Sequence, residues 1–106
     1  MYKNVLWQTI NAIIEIKNFT NLFPNSKFKI GKTANPQRRQ QEHYADGYRN
    51  FKIIAEVSSI AEINELEQIL IKYSKTFYKD YIENEQNGGN GSTAESEKYY
   101  IYIISK

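Results

Sequence analysis

The stretch KFKIGKTANPQRRQQEHY, Lys27 to Tyr44, constrains the fold more than any other part of the chain. It passes from a short apolar strand, Phe28 to Gly31, through the glycine into Asn35-Pro36. That pair predicts a helix start, because the asparagine side chain can accept from an orphan amide and proline at the first helical position has no amide to lose. The helix is expected to run to about Tyr44. Arg39 and His43 stand on it at i, i+4 and therefore share a face.

The remaining elements follow from periodicity. Leu6, Ile10, Ile13, Ile14 and Lys17 recur at helical spacing and predict a helix over residues 3–17, although IIEIK also suits a strand. Asn18 to Lys27 reads as a loop, since it gathers Asn, Pro and Ser around Leu22 and Phe23. Ala45-Asp46-Gly47 is a turn, and FKIIAEV, Phe51 to Val57, is a strand rich in branched residues. Ser59 is expected to cap a helix from Ile60 to about Tyr78 with Ile63, Leu66, Leu70, Tyr73 and Phe77 on its core stripe. A polar, glycine-bearing loop then leads to YYIYIIS, Tyr99 to Ser105, whose aromatic and β-branched content predicts a final strand. The fold class expected is α+β, a small antiparallel three-stranded sheet flanked by helices.

With 106 residues there is room for one domain, divided here into an N-terminal helix and loop (1–26), a central core (27–79), and a polar loop with the final strand (80–106). No apolar run approaches the roughly 20 residues of a membrane helix, and VLWQTINAIIEI is interrupted by Gln8, Asn11 and Glu15. A soluble chain without a signal peptide and without a membrane partner is therefore expected. The absence of cysteine excludes disulfides and thiolate zinc sites, and the single histidine excludes paired-histidine motifs. Oxygen-ligated metals such as magnesium are left, and a cysteine-free chain suits the cytoplasm. Between Lys27 and Lys52 seven basic residues face two acidic ones, whereas Asp80 to Glu97 holds five acids and no lysine or arginine. A basic run around a glycine turn and a helix start points to a phosphate-bearing partner, with a solvated face as the alternative.

Glu67 stands out on the long helix. Ile63 lies four residues before it and Leu70 and Ile71 three and four after, so a carboxylate flanks an apolar stripe. An unpaired ionised carboxylate there would cost several kcal/mol, so a cation is required, either a metal or the lysine or arginine of a structural salt bridge.

Taken in order, these residues resemble the GIY-YIG nuclease domain over residues 27 to about 79 and again at the end of the chain. In that family a YIG motif on a strand is followed by a helix with a catalytic arginine eight positions past the glycine. Here Lys29-Ile30-Gly31-Lys32-Thr33 stands in the motif, Arg39 is eight past Gly31, and His43 lies one turn further, as in many members. The family's metal-binding glutamate opens an E-x-x-x-I-K pattern, which Glu67 to Lys72 matches. The chain departs from the family at Lys29, which replaces the YIG tyrosine and has Phe28 beside it. No GIY strand directly precedes the motif; instead YYIYIIS looks like that strand displaced to the C-terminus, with Tyr102 in place of its tyrosine. The family's asparagine position falls at Lys79, so Asn84, Asn87 or Asn90 is left for that role, with Asn87 just before Gly88-Gly89.

The resemblance implies hydrolysis of phosphodiester bonds in nucleic acid, most readily DNA, with one Mg2+ or Mn2+ on Glu67. Arg39 would set its planar fork on the scissile phosphate, and Tyr102 or His43 would assist the attacking water. Lys29, Lys32, Arg38 and Asn87 would contact the nucleic acid. Two other classes stay open: an inactive nucleic-acid-binding module, favoured by the altered tyrosine and asparagine positions, and a phage-type protein-binding inhibitor, favoured by the small size. A monomer or a homodimer is expected. The bias toward Asn, Lys, Ile and Tyr hints at an AT-rich genome, as in a phage or a low-GC host.

Overall fold

The computed structural model describes residues 3–84 and 95–106. Its elements are α1 (Lys3–Leu22), β1 (Phe28–Thr33), α2 (Pro36–Ala45), β2 (Asn50–Val57), α3 (Ile60–Phe77) and β3 (Tyr99–Ser105). The strands form one antiparallel sheet in the order β1-β3-β2, so the last strand is the central one and pairs with both others. The α+β class is thus borne out, as is a sheet completed by the C-terminal run.

Pairing register assigns the two faces of the sheet. Phe28 and Ile30 pair with Ser105 and Ile103, and Ala55 and Val57 with Ile101 and Tyr99. Directly opposed residues project to one face. On this face α1 and α3 supply Val5, Ala12, Ile16, Ile63, Leu66, Leu70 and Ile71 to a single apolar core. Gly31 pairs with Tyr102 and Phe51 with Ile104 on the opposite face, where α2 reaches β3. Ile54 is an extra residue in β2, since the register shifts between Ile53 and Ala55. Such a bulge bends the strand and strengthens its twist.

Both helix starts form as their residues dictate. Asn35 accepts from the Arg38 amide at 3.1 Å, with Pro36 in the first helical position. Ser59 and Glu62 close a reciprocal cap, in which Ser59 Oγ accepts from the Glu62 amide at 3.2 Å and donates to Glu62 Oε1 at 2.9 Å.

Two expectations are corrected, the end of α1 and the place of Phe77. Helix α1 continues past Lys17 to Leu22, so the loop begins only there. Phe19 is buried in the core and packs against Phe23, with ring centroids 5.0 Å apart and the rings tilted by 57°, and this burial outweighs the weak helix propensity of the surrounding Asn and Thr. The apolar set Leu6, Ile10 and Ile14 is exposed, because α1 turns Val5, Ala12, Ile16 and Phe19 to the core instead. Phe77 at the end of α3 is exposed as well, since the core stripe ends before the last turn.

The outer edge of β1 is closed by the segment after α3. Phe28 donates to the Tyr81 carbonyl and accepts from the Glu83 amide, both at 2.8 Å. Asn84 then clamps the Ile30 peptide, accepting from its amide at 2.9 Å and donating to its carbonyl at 2.8 Å. One side-chain amide here replaces a strand partner.

Because β1 and β2 share β3 as their partner, deletion of residues 99–106 should abolish cooperative unfolding. Ile103→Ala, at a fully buried position on β3, should lower stability by about 2–5 kcal/mol. Urea denaturation followed by far-UV circular dichroism checks both.

Candidate active site

Tyr102 and Gly31 face each other across β3 and β1, and the tyrosine ring lies over the glycine. A Cβ built at Gly31 would stand 2.3 Å from Tyr102 Oη and 2.4 Å from Cζ. The glycine is required because the ring fills the space of its missing side chain. Phe51 of β2 stacks on the other side at 5.0 Å and an interplanar angle of 19°, so the ring is held between two strands.

Helix α2 brings its polar groups onto this ring. His43 Nε2 lies 2.8 Å from Tyr102 Oη, and the Arg39 guanidinium reaches the same hydroxyl. The i, i+4 spacing therefore aims both side chains at one oxygen. Arg39 also pairs with Glu42 at 3.5 Å, and the same carboxylate meets Arg38 at 3.4 Å.

Burial sets the protonation of the pair. Burial raises the Tyr102 pKa above its usual 10, assisted by Glu67 and Glu42 and opposed by Arg39. The His43 pKa is lowered from 6.5, first by burial and then by Arg39 and Lys29, against Asp46 and Glu42. At neutral pH both groups are uncharged. A neutral imidazole beside a neutral phenol can accept a proton through it.

A second cluster lies between β1 and α3. Lys32 Nζ is 3.6 Å from Glu67 Oε1 and donates to Asn64 Oδ1, with both charged side chains about 10% exposed. Glu67 thus has a cation within reach, as its buried position requires. Among the described residues no three His, Cys, Asp or Glu side chains converge as a metal cage. A single carboxylate with an amide oxygen nearby still fits a hard cation that keeps most of its own waters, as magnesium does, and does not fit zinc.

The structure therefore brings Arg39, His43 and Tyr102 into contact and pairs Glu67 with Lys32. Lys29 is close enough for its charge to act on His43. Arg38 points into solvent, and Asn87 lies outside the described residues. Sequence reasoning missed Asn64, which precedes Glu67 by one helical turn and so shares its face. It also missed Phe51, for which strand periodicity carried no signal of the cross-strand stack. Asn84 was one of three asparagines considered, and its amide is spent on the Ile30 backbone.

A strand glycine lies under a tyrosine, and a helix delivers arginine and histidine to that hydroxyl, within an α+β domain. The T5orf172 domain family matches residues 11–97, most of the chain, and the chain belongs to that nuclease-associated family. The match ends before β3, so Tyr102 lies outside it. No curated protein and no solved structure matches the chain significantly. No described helix is long and apolar enough to cross a membrane.

Two outcomes follow from this geometry. Gly31→Ala should displace the Tyr102 ring from His43 and lower the melting temperature, whereas Thr33→Ser on the same strand should leave the ring in place; the aromatic proton shifts of Tyr102 distinguish the two. The histidine sets a pH dependence. Its folded pKa lies below the unfolded one, so below about pH 6.5 the unfolded chain binds more protons and stability is lost as pH falls. The melting temperature should drop between pH 7 and pH 5, and His43→Gln should flatten that drop.

Proposed function

We propose that the protein is a GIY-YIG-type endonuclease that hydrolyses phosphodiester bonds, with DNA as substrate. The observation that carries this reading is the Tyr102 hydroxyl, supplied by the last strand, held over Gly31 and bonded to His43 Nε2 at 2.8 Å.

In this reading Arg39 sets its planar fork on the nonbridging oxygens of the scissile phosphate, releasing its contact with Glu42. The attacking water gives a proton to Tyr102 Oη while the tyrosine passes its own to His43 Nε2. The water oxygen forms the new P–O bond in line as the bond to the leaving oxygen breaks, and the leaving oxygen takes a proton from solvent. Lys29, Arg38 and Lys32 line the approach of the phosphate backbone. Glu67 would hold magnesium or manganese, which when bound supplies charge neutralisation at the phosphate oxygens. Lys32 must then yield its place beside Glu67, and the phosphate offers its ammonium a new partner.

One observation favours a second reading. The Lys32–Glu67 pair already neutralises the carboxylate, as it would in a domain that binds nucleic acid without cutting it.

Incubation of the pure protein with labelled DNA and RNA, in magnesium or with a chelator, separates the two readings. Cleavage should require the metal and fall at least a hundredfold in Glu67→Gln and in Arg39→Ala, with the fold retained. Metal-independent binding without cleavage, equal in wild type and Glu67→Gln, would establish the binding module instead.

A further inference from the structure

The exposed side of α1 carries a feature that the candidate site does not use. Leu6, Trp7, Ile10 and Ile14 are 50%, 59%, 45% and 51% exposed, although the helix already buries Val5, Ala12, Ile16 and Phe19 on its other side. The four residues fall on successive turns and form a continuous stripe about three turns long. No charged residue interrupts it, and Lys17 marks its C-terminal end. Glu15 lies off the stripe and is paired with Lys52 of β2.

We propose that this stripe is a homodimer interface, in which α1 of a second copy packs antiparallel across a two-fold axis beside Ile10. The spacing supports a second copy over an unlike partner. Leu6, Ile10 and Ile14 are evenly separated by four residues, so inverting the helix about Ile10 lays Leu6 and Trp7 of one copy on Ile14 of the other. An isologous contact requires this self-complementarity, and an unlike partner does not. The four half-exposed side chains present on the order of 400 Å² of apolar surface per copy, as large as the patches that monomers leave uncovered for a purpose. Pairing removes about twice that, and with the polar flanks at Asn11 and Asn18 the contact approaches about 1,000 Å², the size of a weak, reversible interface. The dimer is accordingly concentration-dependent.

The helix lies on the core face of the sheet, while Tyr102, His43 and Arg39 lie on the other. The two Tyr102–His43–Arg39 clusters therefore stay open in the dimer. The inference rests on α1 alone and is independent of the nuclease reading.

Sedimentation equilibrium from 1 to 500 μM tests it. The wild-type mass should rise from 12.5 kDa toward twice that value across the range, while Ile10→Glu remains at 12.5 kDa. At 1 μM, where both proteins are monomeric, the circular dichroism spectrum and melting temperature of Ile10→Glu should match wild type, because the Ile10 side chain is half-exposed. The chain lacks cysteine, so Ile10→Cys introduces a single thiol that should give a disulfide-linked dimer on mild oxidation, and Gln68→Cys on the exposed side of α3 should not. A wild type that stays at 12.5 kDa throughout overturns the proposal, as does an Ile10→Glu protein that associates like wild type. A wild type that remains monomeric and co-sediments with neutral phosphatidylcholine vesicles also overturns it and assigns the stripe to lipid.

Discussion

The structure depends on the position of β3. It is the only strand in the described sheet with a partner on both edges, and its residues are buried on both faces. Ile101 and Ile103 fill the core below the sheet, while Tyr102 and Ile104 lie on the side reached by α2. A strand that satisfies the hydrogen bonds of two neighbours and contributes to both layers cannot be exchanged for a polar one. Its place at the end of the chain ties the candidate site to completion of the fold, since the same seven residues deliver the hydroxyl that His43 and Arg39 meet.

Electrostatics around that hydroxyl follow from partial burial. Desolvation favours the neutral form of both partners, which moves the tyrosine up and the histidine down in pKa. The two shifts keep the hydrogen bond uncharged over a wide range of pH, and Arg39 supplies the positive charge. On the other side of β1, Lys32 and Glu67 form a mostly buried pair, where loss of either partner would strand a charge. The glycine between these clusters lets the tyrosine approach β1 closely, so Gly31 joins the two halves of the site by having no side chain.

Parts of this arrangement were legible because their signals are local. Asn35-Pro36 and Ser59 with Glu62 specify helix starts through bonds within one turn, and both form as read. YYIYIIS announces a buried strand by composition, and the i, i+4 spacing of Arg39 and His43 places them together on any helix. The glutamate's need for a cation followed from its apolar neighbours. Which cation lies beside it did not, because Lys32 is far away in sequence and meets Glu67 only through the packing of β1 against α3. Asn84 shows the same limit, since its amide bonds a peptide that sequence separation hides.

Helix α1 marks the division most clearly. Its sequence determines a helix with apolar residues on two sides, because Leu6-Ile10-Ile14 recur about one turn apart and Val5-Ala12-Ile16 about two turns and then one turn apart. Periodicity is a property of the chain alone and is indifferent to which stripe faces inward. The sheet and α3 decided that, since α1 packs on both through the side carrying Val5, Ala12, Ile16 and Phe19. Local chemistry thus determined the elements, their caps and the residues on each face, while close packing between elements distant in sequence chose the buried faces, the ion-pair partners and the convergence of Tyr102 on α2.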